Sequence, residues 1–226
     1  MTKHLSHTKR VQPLTSQGFS LIELLLAMSL GISLSGMILQ LLISETSLGL
    51  RVNRWMRELN VQQRTLTLIS GDVQRSSRIS SSPQLEQHAC SLAGRLPVLH
   101  LSTAAGSITY SVGDAPSSIW RGQVLMRCGP AFDLHGKPSL GSTMQNRVVI
   151  DALPVQPQPW TGCETAIGTE STTRASIVDL AKSSRKGFSA CLDPQGLIVG
   201  LRLIQEFPGA NHQNQNLISE GTAAAT

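Results

Sequence analysis

The chain has 226 residues, 19 Lys+Arg against 14 Asp+Glu for a formal charge of +5, 40% hydrophobic residues and four cysteines. This is enough for one ordinary globular domain plus an additional segment, and four cysteines at this length exclude a cysteine-dense mini-scaffold. The positive balance keeps nucleic acid or an anionic surface among the candidate partners, and the placement of the charges decides whether it matters.

Residues 1–18 contain Lys3, Lys9 and Arg10, no acid, and end in Ser16-Gln17-Gly18, the composition of a targeting leader. The next 25 residues, 19–43, read FSLIELLLAMSLGISLSGMILQLLI, with Glu23 as their single ionisable group. As a helix they extend about 37 Å, enough to cross a hydrocarbon layer of about 30 Å. A cleaved secretory signal fits poorly, because its apolar core is about 7 to 15 residues long and SETSLG makes a poor cleavage site. A plain signal anchor explains the length but not Glu23, since a carboxylate at the centre of a membrane helix costs about 2.5 to 3.5 kcal/mol and usually marks a function.

Gly18-Phe19-Ser20-Leu21-Ile22-Glu23, after a short basic leader and before an uninterrupted apolar run, resembles the class III signal of type IV pilins and type II secretion pseudopilins. The resemblance implies that a prepilin peptidase cuts between Gly18 and Phe19 and N-methylates Phe19. It also implies that Glu23, then the fifth residue, pairs with the amino terminus of an adjacent subunit during assembly. The residues support that last step independently: a carboxylate in an apolar bundle must be paired or neutralised, and processing would create one nearby cation, the amine of Phe19. A dispensable Glu23 that snorkels to the interface is the competing reading. Three leader cations nearly balance Arg51, Arg54 and Arg57 at the far end, so a cytoplasmic leader rests on the cleavage motif and not on the positive-inside rule. Ser29, Gly31, Ser33, Ser35 and Gly36 fall mid-span. They read as ordinary close helix packing, with a soft hinge as the alternative.

Over residues 44–82 the pattern becomes a stripe of Leu48, Val52, Trp55, Leu59, Gln62, Leu66, Ile69 and Val73, interrupted only by Gln62. The 3- and 4-residue spacing predicts one face of an amphipathic stem, in a helix continuous from about residue 20 to about residue 80. Fewer than four heptads followed by a domain favour packing against a sheet over a coiled coil. The run SSRISSSPQ ends the helix at or before Pro83.

Residues 83–207 read as a β-rich domain with strands at 96–101, 107–112, 119–127, 147–153, 188–192 and 197–206. Asp193-Pro194-Gln195-Gly196 makes the last two a hairpin. Residues 154–173 are rich in Pro, Gly, Ser and Thr and read as a long loop, and residues 175–182 as one or two helical turns. The tail, 208–226, has little to anchor it and is expected to be disordered. The fold class is therefore α+β, a long N-terminal helix with a membrane-spanning first half, packed against an antiparallel sheet. The order of elements, a strand group ending in RVVIDALP, a Cys-containing loop and a terminal hairpin, is similar to PilW/PulJ-type minor pilins. That similarity implies a pilin fold.

Cys90, Cys128, Cys163 and Cys191 include no CxxC and no Cys/His pair at zinc spacing, so no metal site is expected. In an exported domain they can form two disulfides with three connectivities. Cys90 with Cys128 and Cys163 with Cys191 is favoured, because the second pair would tie the long loop to the hairpin. His88, His100, His135 and His212 lack a nucleophile motif, and Gly136-Lys137-Pro138-Ser139 lacks the upstream glycine of a phosphate loop. Neither catalysis nor a cofactor is expected. Residues 83–226 hold ten basic and ten acidic residues, so the charge excess lies in the leader and stem. DNA is left one weak patch, Lys182, Arg185 and Lys186, which reads more readily as a solvated loop.

The resemblance implies a non-enzymatic minor pilin that primes or caps a type IV pilus. Its partners would be the prepilin peptidase, other major and minor pilin subunits, the inner-membrane assembly platform and, before assembly, the lipid bilayer. It would sit in the inner membrane with its C-terminal domain in the periplasm, then in a pilus or pseudopilus. A type II secretion pseudopilin, a DNA-uptake pilin and a signal-anchored enzyme or receptor domain are the alternatives.

Overall fold

The computed structural model describes residues 20–80, 90–156, 158–167, 178–179, 187–193, 195–208 and 214–226. The chain divides into two units, Met1–Arg54 and Trp55–Thr226. The described part of the first is helical and belongs to α1, Leu21–Gln74, whose remaining residues belong to the second unit.

The second unit is α+β. A five-stranded antiparallel meander, in the order β1-β2-β3-β4-β5, comprises β1 Ser76–Ser80, β2 Leu96–Thr103, β3 Gly106–Asp114, β4 Gln123–Pro130 and β5 Met144–Leu153. A four-stranded antiparallel sheet follows in the order β6-β7-β8-β9, with β6 Val178–Asp179, β7 Phe188–Leu192, β8 Ile198–Pro208 and β9 Asn214–Ala224. The single turn of α2, Cys163–Ala166, lies between the sheets in sequence. Helix residues Ile69 and Val73 share one buried cluster with Leu99, Leu101 and Tyr110 of the first sheet and Phe188, Leu201 and Leu203 of the second. The rings of Tyr110 and Phe188 are 6.4 Å apart. One core thus joins stem and both sheets.

The structure departs from the sequence expectations at five places. The helix stops at Gln74, not near residue 80, and 76–80 becomes β1. Ser76 Oγ donates to the Val73 carbonyl at 2.7 Å, and Ile79 is buried where a strand can place it. Two sheets replace the single one expected. The fourth strand begins at Gln123, because the bridge at Gly122 (φ +59°), which pairs with Leu153, directs the chain into the sheet only there. Val178 and Asp179, expected in a helical turn, pair with Leu192 and Cys191 as β6.

The fifth correction is the largest. The expected disordered tail contains β9, eleven residues paired with β8 along their whole length. Leu217 and Ala223 are buried, and Leu217 joins Phe207, Ala152 and Leu59 in a small second cluster. The strand has too few large apolar residues to announce itself by alternation, and it forms because β8 and the stem supply its partners.

The β7–β8 hairpin is held as its turn sequence requires. Asp193 Oδ1 accepts from the backbone N–H of Leu197 and Ile198 at 2.6 and 2.7 Å, and Gly196 takes φ +74°, the left-handed region that glycine enters without strain.

Candidate functional site

Gly18 and Phe19 lie outside the described residues, as do Lys182, Arg185, Lys186, His88 and His212. Glu23 stands in the first turn of α1, its N–H donating to the Ser20 carbonyl at 3.0 Å. A carboxylate there meets the positive end of the helix dipole. From Leu21 to Leu42 the helix has a mean hydropathy of 2.0 and is unburied among the described residues. Large side chains stay half exposed or more along its whole circumference, for example Leu25 at 58% and Leu34 at 58%. It is long and apolar enough to cross a membrane. Two of its hydroxyls are satisfied within the helix: Ser29 Oγ donates to the Leu26 carbonyl and Ser33 Oγ to the Ser29 carbonyl, both at 2.9 Å. A Cβ at Gly31 or Gly36 would meet nothing within 4 Å, so neither glycine serves a close approach to any of the described residues.

Further along α1 the expected stripe becomes a core face only from Leu59 onward. Val52 and Trp55 are 50% and 54% exposed, whereas Gln62, Ile69 and Val73 are fully buried. Two polar residues on this face organise the domain. Gln62, the interruption in the stripe, donates through Nε2 to the Leu217 carbonyl at 3.0 Å, and its Oε1 accepts from Ser219 Oγ. It is the side chain by which the stem receives β9. At the end of the helix, the Gln74 carbonyl accepts from Thr226 Oγ1.

Asp72 is the second. Its buried Oδ2 accepts from Tyr110 Oη at 2.7 Å and Arg127 Nε at 2.6 Å, and its Oδ1 from Arg75 Nη2 at 2.8 Å and Arg127 Nη2 at 3.3 Å. Both oxygens are fully used, which is what a buried carboxylate requires. Tyr110 and Arg127 face each other in the β3–β4 ladder, so one helix residue clamps two strands. Arg127 also donates to the Pro130 carbonyl and lies 4.5 Å over the Phe132 ring. Burial, with the Asp72 charge next, pushes the Tyr110 hydroxyl well above its ordinary pKa of 10.0. Burial works against the charge on Arg127, but its hydrogen bonds to Asp72 and the charge of that carboxylate outweigh this and raise its pKa. The sequence signal for this cluster was an acid immediately before Val73 on the stripe, with a cation three residues on.

Cys90 is bonded to Cys128 and Cys163 to Cys191, with Cα–Cα distances of 6.0 and 6.2 Å. The second bridge ties α2 to β7, and Arg202 Nη1 holds the same loop through the Pro159 carbonyl at 2.9 Å. His100 is buried with Nδ1 2.9 Å from Thr109 Oγ1, and His135 is exposed in a turn organised by Asp133. Asp133 Oδ1 also accepts from the Lys137 N–H, which accounts for the glycine-lysine sequence there as a turn. Among the described residues no group of three His, Cys, Asp or Glu side chains is placed to hold a metal ion.

Comparison with family models, with curated proteins and with solved structures finds no match. The class that fold and site define is therefore an α+β domain whose chain carries an apolar helix long enough to cross a membrane.

Proposed function

We propose that the chain is a minor subunit of a type IV pilin-like filament, most similar to PilW/PulJ-type minor pilins, with a pilin fold. In this reading the peptide bond between Gly18 and Phe19 is cleaved by a prepilin peptidase and Phe19 is N-methylated. The helix is held in the inner membrane with the domain in the periplasm, then inserts among the helices of other pilins at the assembly platform. The subunit primes or caps assembly by binding and not by catalysis.

The observation that supports this most is the uncovered apolar helix, Leu21–Leu42, with Glu23 in its first turn. Such a surface must be covered by lipid or by other helices, and a lone carboxylate within it calls for a partner cation. Cleavage after Gly18 of the sequence GFSLIE, residues 18–23, would supply that cation as the amine of Phe19.

Mass spectrometry of the mature amino terminus tests the reading. N-methyl-Phe19 is expected, and an intact leader on membrane-inserted protein would overturn it and favour a signal-anchored domain. Glu23→Ala is expected to be cleaved normally but to enter filaments at a small fraction of the wild-type level. Equal co-assembly would remove the proposed role of Glu23.

A further inference from the structure

The outer edge of β9 carries an inference that does not depend on the filament reading. The bonding parity of the second sheet follows from two backbone bonds. Ile204 N–H donates to the Gly187 carbonyl at 2.6 Å on the β7 side of β8, and Ala225 N–H donates to the Leu197 carbonyl at 2.8 Å on the β9 side. With Ile198 opposite Ala224, the odd-numbered residues of β9 bond to β8. The even-numbered residues Asn216, Ile218, Glu220 and Thr222 then turn their N–H and C=O groups away from the sheet. No strand lies beyond β9 among the described residues.

Sheet edges are usually blunted by proline, lysine, a bulge or a covering element. β9, NQNLISEGTAA, has no proline and no cation, its one charge, Glu220, lies 3.4 Å from Arg202 Nε of β8, and it keeps register with β8 across all its positions without a bulge. Ile218 stands 46% exposed in the middle of it.

We propose that this edge binds the β9 strand of a second copy of the chain, adding it as an antiparallel strand across a two-fold axis. The occupant is chosen by register and charge. Outward-bonding pairs must join even-numbered residues to even-numbered residues. Centring the pair on Glu220 would oppose two carboxylates, which is unfavourable. Centring it on Ile218 stacks the half-exposed isoleucine on its own copy, sets Glu220 opposite Asn216 and Thr222 opposite Asn214, and opposes no like charges. Such an interface is self-complementary and closes at two copies, so it does not propagate into a fibre.

Single cysteines placed at 216, 218 and 220 in the full-length chain, in detergent micelles under mild oxidation, test this register. Cα atoms of a bonded antiparallel pair lie about 5.5 Å apart, within the roughly 4.4 to 6.8 Å that a disulfide spans. Ile218→Cys is expected to give a covalent dimer linked 218 to 218. Asn216→Cys and Glu220→Cys sit four positions from their own copies, about 13 Å away, and are expected not to cross-link. In the chain without added cysteine, Asn216→Glu should weaken the dimer about fivefold in sedimentation and Asn216→Lys should tighten it, since position 216 faces Glu220 of the copy. Asn216 is exposed but faces Glu206 of β8 in its own sheet, so both changes are made alongside Glu206→Gln, with unfolding curves required to match the parent's. Equal cross-linking at all three positions, a monomer throughout, indifference to charge at 216, or linkage of position 218 to a different protein would each overturn the proposal.

Discussion

Residues Leu21–Leu42 and residues 59–74 belong to one helix but answer to different surroundings. The first stretch is apolar around its circumference and unburied among the described residues. The second is apolar along one stripe, which closes against two sheets through Ile69 and Val73, with Gln62 and Asp72 buried on the same side. A helix that is apolar all round takes its environment from outside the chain, and a striped helix takes it from inside. The difference also shows in what polar residues do. Ser29 and Ser33 turn back onto their own helix, whereas Gln62 and Asp72 reach across to particular strands.

The contrast is broken most strongly at Asp72. Asp72→Ala leaves Arg127 and Tyr110 buried without their acceptor, and loss of one partner of a buried ion pair costs about 3 to 5 kcal/mol. Chemical denaturation of the full chain should show this loss, while membrane retention stays unchanged. Leu30→Asp is the complementary change. It should raise the cost of membrane insertion by about 3 to 4 kcal/mol and release protein into the soluble fraction, with domain stability unaffected. Equal effects of both variants on both readouts would erase the distinction between the two stretches.

Gln62→Ala is a smaller perturbation. Removal of a buried hydrogen-bonding side chain costs about 1 to 3 kcal/mol. Hydrogen exchange should quicken along Asn214–Ala224 before it does in β3 or β4, because the Gln62 amide bonds to Leu217 and Ser219 of β9. The last effect depends on pH. The folded state holds the Tyr110 proton to a higher pH than the unfolded chain does, so the stabilisation is complete below the ordinary tyrosine pKa of 10.0 and is lost as pH rises through the raised value. Stability should therefore fall between pH 10.0 and the raised value by up to about 1.4 kcal/mol per pH unit. Tyr110→Phe should remove this part of the slope, measured by urea titration at pH 9 to 11 in the wild type and the variant.

The apolar segment, the amphipathic stem and six of the strands were legible in residue pattern, because each rests on local periodicity or on turn residues such as Asp193 and Gly196. The sites were less so. Gln62 read as a flaw in an apolar stripe and proved to be the anchor of a strand more than 150 residues away. Asp72, one of few acids among the arginines of the stem, is a hub for two strands. In both cases the decisive partner is distant in sequence and cannot be inferred from neighbours on the helix.

The sequence by itself determined where the chain needs an apolar environment, because hydropathy is a property of each residue and adds along a contiguous run. It also determined the α+β class, since a 3.6-residue period and a 2-residue period are written locally. Only the tertiary structure decided that the carboxy-terminal residues form β9, that the helix yields to β1 after Gln74, and that Gln62 and Asp72 face the core. Each of these depends on a partner brought up by the folded chain. A weakly apolar strand becomes stable only when β8 supplies its hydrogen bonds, and a buried carboxylate is tolerated only where three side chains converge on it.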